Sequence, residues 1–351
     1  MVVFKRIMAM VAIAAVTFGL SACERKITRV EYAQQPLSCF ECHSDQNTFL
    51  VAAQGQWEYS KHASGSTLHE NDGSCKGCHT NEGFVARATG TTIPDVVVDP
   101  TAIHCFTCHA PHSEGNFGLR WTAVATLENG ASYDLNAGNL CVACHHARRN
   151  VDTYITASTS LSSRWGPHYS PQGDMLIGSN GYEYSGFNYE STQHRGATTL
   201  NGGGACIECH KKTSGLDGAG GRYFVGGHSF NMAYDPGSGE IQNTFACENC
   251  HGEIDDFSDV GPGYSVQDSV DVLVADLSAR LAATRLWTGS APKSVTTTAD
   301  SAGAVWNLLV ATEDRSHGVH NAKYIMGLLR SSIMFLNGTL PQPTRLVRSR
   351  D

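Results

Sequence analysis

The chain has 351 residues, 41% hydrophobic and 17% charged, which allows a buried core and excludes a disordered tail or a membrane-spanning bundle. Its formal charge of −8, from 25 Lys and Arg against 33 Asp and Glu, weighs against a nucleic-acid partner bound by phosphate neutralisation. The 36 glycines imply a loop-rich chain, and the departures from ordinary composition are 13 Cys and 16 His.

Residues 1–22 read as an export signal. Lys5 and Arg6 precede an apolar run from Ile7 to Leu20 that is too short and wrongly flanked to be a confident spanning helix. Leu20-Ser21-Ala22-Cys23 resembles the lipobox of bacterial lipoproteins, which implies cleavage before Cys23 and lipidation of that residue. Glu24, where a retained lipoprotein would carry Asp, resembles the signal for outer-membrane sorting. The expectation is a protein of the cell envelope, lipid-anchored at the outer membrane on its periplasmic or extracellular face, with residues 23–38 as the tether.

From residue 39 to 252 the chain is punctuated by C-x-x-C pairs. The remaining twelve cysteines all fall in them: Cys39/Cys42, Cys75/Cys78, Cys105/Cys108, Cys141/Cys144, Cys206/Cys209 and Cys247/Cys250. Each pair is followed at once by histidine, at His43, His79, His109, His145, His210 and His251. C-x-x-C-H is the attachment motif of c-type haem. Two thiols add across two vinyl groups, and the adjacent imidazole reaches the iron from the proximal side. A disulfide framework, a zinc ribbon or a redox dithiol has no need of histidine at this one offset six times over. Six covalent haems are expected. With only about 55 residues per motif, against roughly 100–150 in an ordinary domain, the porphyrins must supply much of the core and lie close together.

Residues 39–150 hold four motifs in loops containing Gly and Pro, and 151–205, rich in Tyr, Ser and Gly, is expected to carry distal ligands and haem-covering aromatics. Arg148, Arg149, Lys211 and Lys212 follow motifs closely and are candidate propionate partners. Residues 253–351 change texture. Ser265-x-x-Asp268 predicts a cap for a helix with Val270, Leu273, Val274, Leu277 and Leu281 at helical spacing. Asn321 predicts the start of another carrying Tyr324, Leu328, Leu329 and Leu336, with Gly338 as its stop. The stretch before residue 314 leaves space for a small helical cap. Met175, Met232, Met326 and Met334 are read as packing residues.

Ten histidines lie outside the motifs: His62, His69, His104, His112, His146, His168, His194, His228, His317 and His320. That supply allows bis-histidine ligation at all six irons. WEYSKHA (57–63), CHTNEGFVAR (78–87), CFTCHAPHS (105–113), WGPHYSPQGDMLIG (165–178), GGHSFNM (226–232) and DRSHGVHNAKYIMGLL (314–329) resemble segments of multihaem c-type cytochromes of metal-, sulfur- and nitrogen-oxyanion-reducing bacteria. The closing segments are similar to the C-terminal part of pentahaem nitrite reductases. The resemblance implies a multihaem cytochrome c fold, mainly α and irregular, organised around six covalent haems and closed by C-terminal helices that supply a distal ligand. It implies distal ligation by His62, His168, His228 and His320, with His194 next and His112 sixth; His104 or His69 could replace His112. His146 and His317 are expected to be structural or propionate contacts.

The expected function is electron transfer rather than catalysis. Partners would be other redox proteins or cytochromes, or insoluble metal oxides, with the membrane reached by the lipid. The alternative is a multihaem reductase of nitrite, hydroxylamine or a sulfur oxyanion. The nitrite reductases mark their catalytic haem with Lys in the motif, and this chain has no C-x-x-C-K. A haem protein that polymerises into a conductive filament is a third reading.

Overall fold

The computed structural model describes residues 48–111, 117–194, 205–213, 224–260 and 265–340. It divides into two units, Met1–Leu50 and Val51–Asp351. The signal segment, Cys23, the tether and the first motif (Cys39, Cys42, His43) lie outside the described residues, as does His112.

The motif-bearing part is built of short helices joined by irregular chain: α1 (Thr48–Glu58), α2 (Lys76–His79), α3 (Asn81–Thr89), α4 (Cys105–Cys108), α5 (Gly138–Val142), α6 (Val151–Tyr154), α7 (Gln172–Ile177), α8 (Ala205–His210) and α9 (Glu248–His251). The reasons are local. Thr80 ends α2 in extended backbone, and its hydroxyl caps α3 by accepting the Gly83 N–H at 3.0 Å. Gly83 is required there because a Cβ would lie 2.2 Å from the Lys76 carbonyl oxygen. Among the described residues the strands are two residues each. Ala125–Thr126 pairs with Ser132–Tyr133, Ala233–Tyr234 with Ile241–Gln242, and Thr159–Ser160 with the distant Thr296–Thr297, all antiparallel.

Three long helices follow: α10 (Val266–Ala283), α11 (Ala299–Glu313) and α12 (Ala322–Leu336). Ser265 caps α10 by accepting the Asp268 N–H, and Asn321 caps α12 by accepting the Tyr324 N–H, as the sequence predicts. The larger hydrophobic core lies here. Val270, Leu277 and Leu281 of α10 meet Tyr324, Ile325, Leu328 and Leu329 of α12, with Trp165, Met175, Leu286 and Trp287 closing the sides. Helix α11 runs through the middle, buried at every residue from Ala302 to Ala311. It is larger and more central than the small cap expected before residue 314, because its apolar residues cover its whole circumference and leave no stripe to read. Thr298 caps it through the Ser301 N–H.

Tyr154, Tyr182 and Tyr189 of the 151–205 segment pack against this helical core. The Tyr184 ring stacks on Phe335 at 5.2 Å. The side chain of Asn307 on α11 accepts the Tyr182 N–H and donates to the Tyr182 carbonyl, both at 2.8 Å. These aromatics fasten the long loop to the helices rather than standing free to cover a ring.

The motif-bearing half is different. Between residues 51 and 111 the buried hydrophobic residues are Phe84, Ala86 and Val97. A smaller cluster of Leu127, Tyr133, Val142, Leu176 and Ala205 joins α5 to α8. So few buried side chains cannot hold sixty residues in one conformation by area alone.

Trp306 is fully buried and its indole N–H donates to the Asn180 carbonyl at 2.8 Å. Trp306→Ala should cost about 3–5 kcal/mol through the cavity it leaves, read as a lowered denaturation midpoint of the helical signal in circular dichroism.

Candidate haem sites

Each described motif sits on a single helical turn. The N–H of the motif histidine donates to the carbonyl of the first cysteine: His79 to Cys75 at 3.1 Å, His109 to Cys105 and His145 to Cys141 at 2.9 Å, and His251 to Cys247 at 3.0 Å. Residues three and four apart share a helical face, so both thiols and the imidazole leave the turn on one side. Among the ten described cysteines none is in a disulfide. Among the described residues no three His, Cys, Asp or Glu converge as a metal-ion cluster.

The thiols are not equally enclosed. Cys78, Cys108, Cys141, Cys144, Cys206, Cys209 and Cys247 are partly covered, whereas Cys75, Cys105 and Cys250 are exposed. Cys250 is one of the exposed three. It stands on α9, which carries no buried residue along its length. The physical reason is local: α9 is one turn, ended at Gly252 by a φ of 78°, and no apolar side chain of its own sinks into the protein. Its backbone still keeps the motif geometry, with the Cys250 N–H donating to the Cys247 carbonyl at 3.1 Å. Cys250 thus sits at the surface edge of its site rather than in the interior.

The structure brings each of the five described motif histidines against one spare histidine. Ring centres are 6.1 Å apart for His79 and His168, 6.5 Å for His109 and His228, and 6.1 Å for His145 and His62. They are 6.3 Å apart for His210 and His320, and 6.2 Å for His251 and His194. Two imidazoles bound to one metal from opposite sides at about 2 Å each would have ring centres roughly 6–6.5 Å apart. The residues present therefore fit a haem iron between each pair. Which spare histidine faces which motif is new information, since sequence order does not predict it.

The Nδ1 contacts agree with this. Nδ1–H of His109 donates to the Phe117 carbonyl at 2.7 Å, that of His210 to the Phe230 carbonyl at 2.8 Å, and that of His194 to the Val319 carbonyl. His145 donates to Gln172 Oε1 at 3.3 Å, and the Gln172 amide is oriented by its own donation to the Glu313 carbonyl at 3.0 Å. His168 donates to Ser170 Oγ at 3.3 Å, whose proton is committed to the His146 carbonyl. His320 donates to Asp314 Oδ1 at 2.7 Å. Tying Nδ1–H leaves the Nε2 lone pair for a metal.

Burial keeps the imidazoles neutral. It pushes His62 down to about 4, helped by His145, and His228 to about 4, helped by Lys211 and His109. Burial is the leading cause for His210 too, also at about 4, and it lowers His109, His145, His168 and His194. His320 is the exception: burial disfavours its charge, but the Asp314 carboxylate outweighs that and the net shift is upward.

The turns that carry the spare histidines are shaped by close contacts. His168 holds a left-handed φ of 77°. It follows Gly166, where a Cβ would lie 2.7 Å from Leu309 Cδ1 on α11. His228 stands on the turn Gly227–Ser229, with its N–H donating to Gln56 Oε1 at 2.9 Å. Phe230 follows with φ 57°, unusual for a bulky residue. Its ring lies 5.4 Å from His62 and 6.1 Å from His228, while its carbonyl takes the His210 proton. Three pairs thus meet at one residue.

Neighbouring motifs also touch. Arg87 reaches Cys78 Sγ at 3.3 Å and Cys144 Sγ at 3.9 Å, and Arg148 reaches Cys78 Sγ at 2.7 Å. Tyr133, packed against Val142, has its hydroxyl 3.3 Å from Cys206 Sγ. Helix α8 packs against α5 and against the turn Thr244–Ala246 that precedes α9, and α4 packs against α3.

The other spare histidines are placed differently. His104 caps α4 with Nδ1 accepting the Phe106 N–H at 3.2 Å, so its proton is on Nε2, the wrong tautomer for a ligand there. His69 lies exposed beside Glu70. His146 has both nitrogens engaged, by the Ala147 carbonyl and the Arg148 guanidinium. His317 pairs with Asp271 at 2.7 Å. Of the candidate cations, Arg149 stacks over Tyr154, Lys212 over Phe245, and Lys211 Nζ lies 3.4 Å from His228 Nε2. Met175 and Met326 belong to the helical core.

No protein-family model matches the chain, and no curated protein matches it. Among solved structures, the outer cell wall cytochrome OcwA aligns at 21% identity and a TM-score of 0.49, over 80% of this chain and 49% of its own. This chain spans about half of that protein's length, and a likeness this loose carries no argument. Among the described residues no helix is long and apolar enough to cross a membrane.

Asp174 anchors the chain after the motif at 141, accepting the Ala147 N–H at 2.7 Å and the Asn180 amide at 3.1 Å. Burial raises its carboxyl from 3.8 to about 6. A raised acid contributes stability below its unfolded value that is lost as pH rises through the folded one. Asp174→Asn should therefore lose less stability than wild type between about pH 4 and 6, measured as thermal midpoints across that range.

Proposed function

We propose that the chain is a hexahaem c-type cytochrome that carries electrons, with two histidines on each iron. The six motif cysteine pairs, from Cys39 and Cys42 to Cys247 and the exposed Cys250, hold the porphyrins, and His43, His79, His109, His145, His210 and His251 are the proximal ligands. His62, His168, His194, His228 and His320 are the distal ligands, with His112 as the sixth candidate. The observation that carries this reading is the one-to-one facing of five motif histidines and five spare ones at ring distances of 6.1–6.5 Å.

Each haem would supply a one-electron Fe(III)/Fe(II) couple. The side chains around it have three tasks. The paired imidazoles would both bind the iron, so the ligand set would stay the same in either oxidation state. The Nδ1 acceptors fix tautomer and ring orientation before the metal arrives. Burial disfavours the charged form of His62, His109, His145, His168, His194, His210 and His228. The contacts between neighbouring motif helices support short distances from one site to the next.

In the same reading Cys23 bears lipid and holds the protein at the outer membrane, on its periplasmic or extracellular face. Donors and acceptors would be other redox proteins, other cytochromes or extracellular metal oxides.

Mass spectrometry of the mature protein should find six attached porphyrins, and electron paramagnetic resonance of the oxidised form only low-spin iron. His168→Ala should convert one iron in six to a high-spin, cyanide-binding state. A wild-type protein without porphyrin overturns the reading. A wild-type high-spin signal that responds to nitrite would favour a reductase instead.

A further inference from the structure

Five of the six Nδ1 contacts end on neutral oxygens: the carbonyls of Phe117, Phe230 and Val319, the amide of Gln172 and the hydroxyl of Ser170. The sixth ends on a carboxylate. His320 Nδ1 lies 2.7 Å from Oδ1 of Asp314, which is 1% exposed. The other carboxylate oxygen accepts the Ser316 hydroxyl, and Ser316 Oγ in turn accepts the His320 N–H at 3.2 Å.

The loop that makes this contact is built against backbone preference. Arg315, His317 and Gly318 all hold positive φ, at 57°, 50° and 89°. The position of a Cβ on Gly318 would lie 2.6 Å from Val270 Cγ2, so α10 presses the loop into place. Non-glycine residues in the left-handed region persist where surrounding structure over-determines them.

Resting on the bis-histidine reading, we propose that Asp314 gives the haem site of Cys206 and Cys209 the lowest reduction potential of the five described. A carboxylate acceptor draws the Nδ1 proton and gives His320 imidazolate character, which strengthens its bond to ferric iron more than to ferrous. The buried negative charge favours the more positive iron by direct attraction as well, little screened by solvent. Asp314 is a positioning and tuning residue that acts through His320. Since α8 packs against both α5 and the turn before α9, this low site lies between the motifs at 141 and 247.

The test is a spectroelectrochemical titration of the haem-loaded full chain, with electron paramagnetic resonance on the same samples. Asp314→Asn keeps an oxygen acceptor and removes the charge. Its lowest one-electron component should move up while the others stay and all irons remain low-spin. Gln172→Glu places a carboxylate against His145 and should move a different component down. A loaded, low-spin Asp314→Asn protein with an unchanged titration overturns the proposal and leaves the cytochrome reading intact. If Asp314→Asn does not load, an unshifted Gln172→Glu protein overturns it. A wild type that carries no haem instead sinks the parent reading.

Discussion

A neutral imidazole offers one lone pair at a time, and whatever accepts the proton on one nitrogen decides that the other is free. That constraint organises this molecule. Six of the ten paired histidines have Nδ1–H held by a named oxygen, and three of those oxygens are backbone carbonyls outside helix and strand. The Phe230 and Val319 carbonyls accept imidazole N–H groups from irregular chain rather than from helix or strand. Irregular backbone is therefore functional material here, since a helix or sheet would have used those carbonyls itself.

The second constraint is where apolar surface goes. The C-terminal helices pack as a conventional core around α11, and this rigid block reaches into the sites at several points. Leu309 shapes the turn before His168, Glu313 orients Gln172 beside His145, and Asp314 and Val319 hold His320 and His194. The motif-bearing half has only scattered buried side chains of its own. Six porphyrins, each a large flat apolar disc, would provide the missing interior, so cofactor and fold become one problem.

Much of this was legible in the sequence. The motif spacing, the caps at Ser265 and Asn321 and the stripes they begin are local signals, and local geometry honours them. The resemblance picked out His62, His168, His194, His228 and His320, and each stands opposite a motif histidine. What could not be read was the partnership, because His62 meets His145 rather than the nearer His79 only through tertiary packing. Nor could a repeated motif tell the exposed Cys250 from the partly covered Cys144, since both have the same local spelling. Helix α11 was missed for a different reason: a segment buried on all sides has no polar face to mark its period. The role of Asp314 was equally hidden, since one acidic residue in a loop has no signature until the fold buries it.

The pairings also interleave along the chain. His79, His109 and His210 meet partners that come later in the sequence, whereas His145 and His251 meet partners that have already gone by. A polypeptide that emerges from its N-terminus thus presents three of these motifs long before their opposing imidazoles. In the proposed cytochrome, thioether formation and completion of the histidine pair would then be separate events. Until residue 320 emerges, the turn that carries Cys206, Cys209 and His210 would lack its opposing imidazole.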